Sequence, residues 1–100
     1  PMKKIISKLN KTFDHKVRLG IMSVLMVNEG VNFTTLKEML EVTDGRLASH
    51  MKVLEGVDFV QVTKTFVGRK PHTTYAATEA GRKAFNDHLD ALEKLIRSID

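Results

Sequence analysis

Gly45, Arg46, Ser49, Lys52 and Val53 have the types and the spacing to read a polyanion. On a helical wheel they fall opposite Leu47, Met51 and Leu54, which recur at i, i+4 and i+7 as a buried stripe. An arginine on such a face can fork onto guanine, a serine can bond a base edge or a phosphate, and a lysine can neutralise a phosphate. Val53 offers apolar contact to a thymine methyl, and Gly45 lets the helix N-terminus come close to a phosphate. The bland alternative for this face is ordinary solvation. His50 sits at the edge of the buried stripe and reads first as a boundary residue, second as a base contact. A second basic set is Arg69 and Lys70, in the run Gly68-Arg69-Lys70-Pro71 between two β-type segments. A cationic side chain on a thin β-tip can enter a minor groove, where negative potential is focused. Lys64 and His72 lie close enough in sequence to touch the adjoining phosphates. Thr34 and Thr35 could donate to a phosphate as well as cap a helix.

Other chemistries find little support. The four histidines are scattered, and no zinc-protease, nucleophile-elbow, P-loop or dinucleotide motif occurs. Asp87, His88 and Asp90 cluster without a second histidine at ligand spacing, so Asp87 and Asp90 read as a solvated helix face rather than part of a metal site. With no cysteine in the chain, neither a disulfide framework nor a thiolate metal site is available. No enzyme, metal or cofactor is therefore expected. The net charge of +4 and the pI near 9.5 favour a polyanionic partner. Lys3, Lys4, Lys8, Lys11, Lys16 and Arg18 face only Asp14 in the first twenty residues, although a solvated face would explain them equally well. Neither a membrane-length apolar run nor a signal-peptide pattern is present, so a cytoplasmic location is expected, with no membrane partner.

The elements that must hold these residues can be read from periodicity and breakers. The 100 residues, 42% of them hydrophobic, suggest a single globular domain over residues 1–100. Ile5, Ile6, Leu9 and Phe13 suggest a short lead-in helix. Asp14 is a plausible N-cap for a helix running to about Val27, which Asn28-Glu29-Gly30 stops. That helix is apolar on two sides: Val17, Ile21, Val24 and Leu25 on one, Leu19, Met22 and Met26 on the other. A helix of this kind must be covered on both sides. Val31-Asn32-Phe33 reads as extended, and Thr34 or Thr35 as the cap of a helix that buries Leu36, Met39 and Leu40. Thr35 and Glu38 have capping-box spacing. Thr43 or Asp44 caps the helix bearing Arg46, with Gly56 as its stop. Residues 59–66 and 72–76 are rich in β-branched and aromatic types and read as a hairpin whose turn chemistry comes from Gly68 and Pro71. Thr78 caps a last helix in which Phe85, Leu89, Leu92, Ile96 and Ile99 form a heptad seam of about two repeats.

Helix, tight turn, helix and basic hairpin, in that order, are the plan of a winged helix-turn-helix. The expected fold class is mainly α with a small β-hairpin wing (α+β). The helix-turn-helix spans about 35–56, the wing about 59–77 and the C-terminal helix about 79–99. The chain resembles small single-domain winged helix-turn-helix transcriptional regulators of the MarR and ArsR superfamily. The resemblance rests on Phe13-Asp14-His15-Lys16-Val17-Arg18-Leu19, Asn32-Phe33-Thr34-Thr35-Leu36-Lys37 and Thr43-Asp44-Gly45-Arg46-Leu47-Ala48-Ser49-His50-Met51. It continues through Val62-Thr63-Lys64-Thr65-Phe66, Arg69-Lys70-Pro71-His72-Thr73-Thr74-Tyr75 and Thr78-Glu79-Ala80-Gly81-Arg82, and so covers nearly the whole chain.

The resemblance implies a homodimer on double-stranded DNA with a pseudo-palindromic site, recognition helices in major grooves and wings in adjoining minor grooves. It also implies that the N- and C-terminal helices pack in a dimer interface. The second face of the long early helix (Leu19, Met22, Met26), the lead-in residues Ile5 and Leu9, and the seam Phe85, Leu89, Leu92, Ile96 and Ile99 are the candidates. Repression is the simpler outcome, since it needs only occupancy of a site. The metal and thiol sensor motifs of some relatives are missing, and a small-molecule effector is left open. A second reading is a winged-helix module that binds protein and little DNA. It is kept open by Asp44 and Glu55, which offset Arg46 and Lys52.

Overall fold

Every helix after the first begins where a side chain accepts an otherwise orphaned backbone N–H. The computed structural model describes residues 2–98. After a short helix α1 (Met2–Ile6) and a 3-10 turn (Lys11–Asp14), helix α2 runs Lys16–Met26. Its cap is His15, not Asp14: His15 Nδ1 accepts from Val17 N at 3.1 Å, and Asp14 ends the 3-10 turn. Strand β1 is only Val31–Asn32, and helix α3 is Phe33–Leu40. Asn32 caps α3 through Oδ1, which accepts from Thr35 N at 2.8 Å. The cap therefore lies two or three residues before the expected threonines, and Phe33 belongs to the helix rather than the strand. Helix α4 is Asp44–Gly56, capped by Thr43, and helix α5 is Glu79–Arg97, capped by Thr78. Strands β2 (Val60–Val67) and β3 (Lys70–Ala77) form the hairpin.

The sheet has three strands, in the order β1-β3-β2, all antiparallel. Val31 pairs with Tyr75 and Asn32 with Thr74, so the short strand ties the α3 cap to the base of the hairpin. Gly68 and Arg69 form a two-residue turn between the paired residues Val67 and Lys70. Gly68 has φ +66 at the first central position, a backbone that such tight hairpins demand. Pro71 lies in β3 opposite Phe66 rather than in the turn. It stands beyond the residues that pair with β1, where its missing N–H costs no ladder bond.

The core is built from Phe13, Val17, Ile21, Met22, Leu25, Leu36, Leu47, Met51, Leu54, Val60, Tyr75 and Phe85, with Val31 at its edge. Three expectations change here. Met22 is 0% exposed and so is a core residue, and the half-buried Leu19 and Met26 pack against the same cluster, so the second apolar face of α2 is covered in large part by its own chain. Phe85 is 4% exposed and stacks edge-on against Phe13 at 5.2 Å, so it is a core residue and not an interface residue. The buried face of α5 is Gly81, Phe85, His88 and Ala91, which is rotated from the heptad seam. Leu89 and Ile96 are left exposed and Leu92 half-buried; Ile99 lies outside the described residues.

The lead-in segment also departs from one continuous helix. It breaks after Ile6, so that Ile5 and Leu9 are half-buried while Phe13, on the 3-10 turn, is buried between Phe59 and Phe85. Arg82 closes the α2 end: its guanidinium donates to the carbonyls of Met26 (3.2 Å) and Leu25 (3.5 Å), where a cation also suits the helix dipole. No helix among the described residues is long and apolar enough to cross a membrane.

Candidate nucleic-acid interface

Helix α4 is divided as its periodicity requires. Leu47, Met51 and Leu54 are buried, and Gly45, Arg46, Ser49, Lys52 and Val53 are exposed on the other side. The burial of one side sets the rotation of the helix, and so dictates which residues face outward. The connection from α3 is three residues, Glu41–Thr43, with Glu41 in the left-handed region at φ 51. Lys37 Nζ bonds Asp44 across it at 3.0 Å. Asp44 is the acid beside Arg46 in sequence, and it is engaged by Lys37. Thr34 and Thr35 are exposed on the first turn of α3, but neither caps it.

His50 is held inward. Its ring lies tilted against His15 with centroids 4.0 Å apart, and Arg18 Nη1 lies 3.0 Å from His50 Nδ1. A guanidinium can only donate, so Nδ1 is the acceptor and the ring is neutral at that nitrogen. Arg18 also donates from Nε to Thr12 O at 2.6 Å. His50 is half-buried and ties α4 to the start of α2, the boundary role expected first for it. Periodicity marks a boundary position but cannot identify the partner, because His15 and Arg18 are remote in sequence.

The hairpin is exposed beyond its base. Lys64, Arg69, Lys70 and His72 are all exposed, and the segment Val60–Ala77 contains no aspartate or glutamate. Phe66 and Val67 near the tip are 73% and 65% exposed. The basic positions on α4 and the wing and the two threonines of α3 are therefore all accessible, while the interface candidates Met22 and Phe85 are not.

Asp87 and Asp90 lie on the solvated face expected for them, while His88 between them is 4% exposed. Its Nδ1 accepts from Asn10 N at 2.9 Å, and its ring lies against Phe13. Among the described residues no group of three histidine, cysteine or acidic side chains could hold a metal ion.

These contacts imply a pH dependence. Burial, followed by His15, Arg18 and Arg46, pulls His50 below its ordinary pKa. Burial pulls His88 down too, with Asp14 opposing. Each folded-state value lies below the unfolded one of about 6.5, so the fold favours the neutral rings. Their stabilisation is complete above the unfolded value and is lost as pH falls from there through the folded values. The urea midpoint should hold through neutral pH and fall over a window that opens at about pH 6.5 and extends to lower pH. An unchanged midpoint across that window would contradict the assignment.

A family model described as a winged helix DNA-binding domain matches residues 17–96. An uncharacterized protein of Methanocaldococcus jannaschii is 34% identical over 90 residues, which cover 90% of this chain and 98% of that one. The solved structure of a transcriptional regulator homologue protein from Pyrococcus horikoshii OT3 superposes with a TM-score of 0.87 at 30% identity, over 99% of this chain and 96% of that chain. Bacillus subtilis PadR, solved in complex with operator DNA, has a TM-score of 0.67 at 15% identity, over 75% of this chain and 47% of that one. At these identities the PadR likeness is one of fold.

Proposed function

The chain belongs to the winged helix DNA-binding domain family, and from that premise we propose that it is a sequence-specific, dimeric regulator of transcription that acts as a repressor on double-stranded DNA. The observation that carries this reading is α4: a helix with one side wholly in the core presents Arg46, Ser49, Lys52 and Val53 on the other. In the major groove, Arg46 would fork onto a guanine, Ser49 and Lys52 would bond base or phosphate, and Val53 would pack on a thymine methyl. The open backbone at Gly45 and the hydroxyls of Thr34 and Thr35 would meet phosphates. Arg69 and Lys70 would enter the minor groove, with Lys64 and His72 on its flanking phosphates.

The proposed dimer surface is narrower than the full seam. It consists of Leu89, Leu92 and Ile96 on α5 together with α1, which packs on α5 and leaves Ile5 and Leu9 half-buried. Exposed Met2 and Ile6 add to it. Binding and occupancy suffice for this role, and no catalysis is invoked.

The test is selection of bound sequences from a random duplex library, followed by two variants on the recovered site. Arg46→Ala should cost about 1–3 kcal/mol on that site and relax one base preference. Lys70→Ala should weaken binding to all sequences and make the salt dependence shallower. Equal loss for Arg46→Ala on specific and random duplex would remove its reading role. No binding to any duplex at low salt would favour a protein-binding module instead.

A further inference from the structure

The hairpin carries an apolar tip that the fold does not use. Burial along it ends near Val62 and Tyr75, and Phe66 lies outside the core cluster with 73% of its surface exposed. Side chains alternate along a strand, so Phe66 shares a face with Val60, Val62 and Lys64, and its cross-strand partner on that face is Pro71. Val67, on the opposite face, is 65% exposed. A free hairpin tip bearing an aromatic ring is an aggregation hazard, so its placement calls for a covering partner. That partner must accept an apolar ring and must also be anionic all around it. Lys64 lies on the Phe66 face, Arg69 and Lys70 follow at the turn, and no acidic residue lies between Val60 and Ala77. The minor groove of duplex DNA has this character, with sugar walls and base edges inside and phosphates along both rims.

We propose that Phe66, backed by Pro71, is an apolar wedge that enters the minor groove and kinks the duplex at a deformable base step. The inference rests on the DNA-binding reading above and deepens it. Arg69 and Lys70 enter the groove beside the ring, and Lys64 anchors the tip on a flanking phosphate, a contact that carries no sequence information. The ring presses on the base step, and the energy of unstacking that step depends on its sequence. The wing thereby selects pyrimidine–purine steps at positions where no side chain reads a base edge.

The test uses the full chain and a duplex of about 30 base pairs recovered from a random library, labelled at both ends for energy transfer. The wild-type protein should shorten the end-to-end distance. Phe66→Ala should abolish most of that shortening and weaken binding about tenfold, the scale set by losing one buried ring. Its salt slope should match the wild type, whereas Arg69→Ala should make the slope shallower. Phe66→Leu should retain part of the bend. Replacing the flexible step under the wing by an A-tract should weaken the wild type and leave Phe66→Ala unaffected. Because Phe66 lies outside the core, the variants should unfold at the wild-type midpoint. Wild-type bending and affinity in Phe66→Ala would overturn the wedge while leaving DNA binding intact. A change in oligomeric state in Phe66→Ala would assign the ring to a second copy of the chain, and would also overturn it. If the wild type recovers no duplex, the DNA-binding reading fails and the wedge fails with it.

Discussion

Gly81→Ala should destabilise the protein severely, against the sign that helix propensity would give. An alanine in place of a glycine inside a helix ordinarily gains up to about 1 kcal/mol. Gly81 lies in the first turn of α5, where an added Cβ would collide with the Phe59 carbonyl oxygen and come within 2.9 Å of Phe59 C and Cα. These are backbone atoms, so the clash cannot be relieved by rotating a side chain. The same carbonyl accepts from Thr78 N at 3.1 Å, and Thr78 Oγ1 donates to Asp58 O at 2.6 Å. Making room at position 81 therefore disturbs the α5 cap and the crossing from α4 into β2 together. Overpacking costs about 1–3 kcal/mol and more where backbone must shift, so the upper end applies. Gly45→Ala is the control: nothing lies within 4 Å of its added Cβ. It should be neutral or stabilising. A Gly81→Ala midpoint in urea equal to or above that of the wild type would show that the α5–Phe59 approach is looser than described.

The other large effect concerns the interior of α2. Met22→Ala should lower stability by about 2–5 kcal/mol, the range for emptying a closed methionine site. Met22 is 0% exposed within one protomer, among Ile21, Leu25 and the rest of the core cluster. Its loss should be the same in urea titrations at protein concentrations far apart, relative to the wild type at each. An interface methionine would behave otherwise: the variant would dissociate on dilution while the protomer kept its stability. Sedimentation of Met22→Ala and Ile96→Ala side by side separates the two cases. Ile96 is 68% exposed, so its truncation should shift association and leave protomer stability nearly unchanged. A Met22→Ala chain that only dissociates would return α2 to the interface.

Much of the fold was legible because its signals are local. The Leu47, Met51 and Leu54 spacing turns α4 correctly, and Thr43 and Thr78 do cap their helices. Gly68 marks the hairpin turn through its positive φ. Local signals do not decide where two or three options are nearly equal. Asp14 and His15 can both cap α2, and Asn32 competes with Thr34 and Thr35 for α3. In each case the capping residue also joins a second element: the His15 ring lies against His50, and Asn32 lies in β1. His88 shows the same limit. It lies between two exposed acids in sequence, yet the 3-10 turn brings Asn10 N and the Phe13 ring to it.

Arg46, Ser49 and Lys52 face away from Leu47 and Met51 in any α-helix, because the angle between residues is set by backbone geometry. The basic, acid-free hairpin follows equally from the order of residues. These features were determined by the sequence alone, and they are the ones that point to DNA. What covers a given apolar face was decided only in three dimensions. Val17 and Met22 lie on two sides of α2, and the sequence requires only that both sides be covered. The paths of α3, α4, α5 and β3 bring cover for both from the same chain. Those paths depend on contacts between residues far apart in sequence, such as Gly81 with Phe59 and Arg82 with Leu25 and Met26. Local spacing does not contain that information, since hydrophobic burial has no direction and is satisfied by whichever surface arrives.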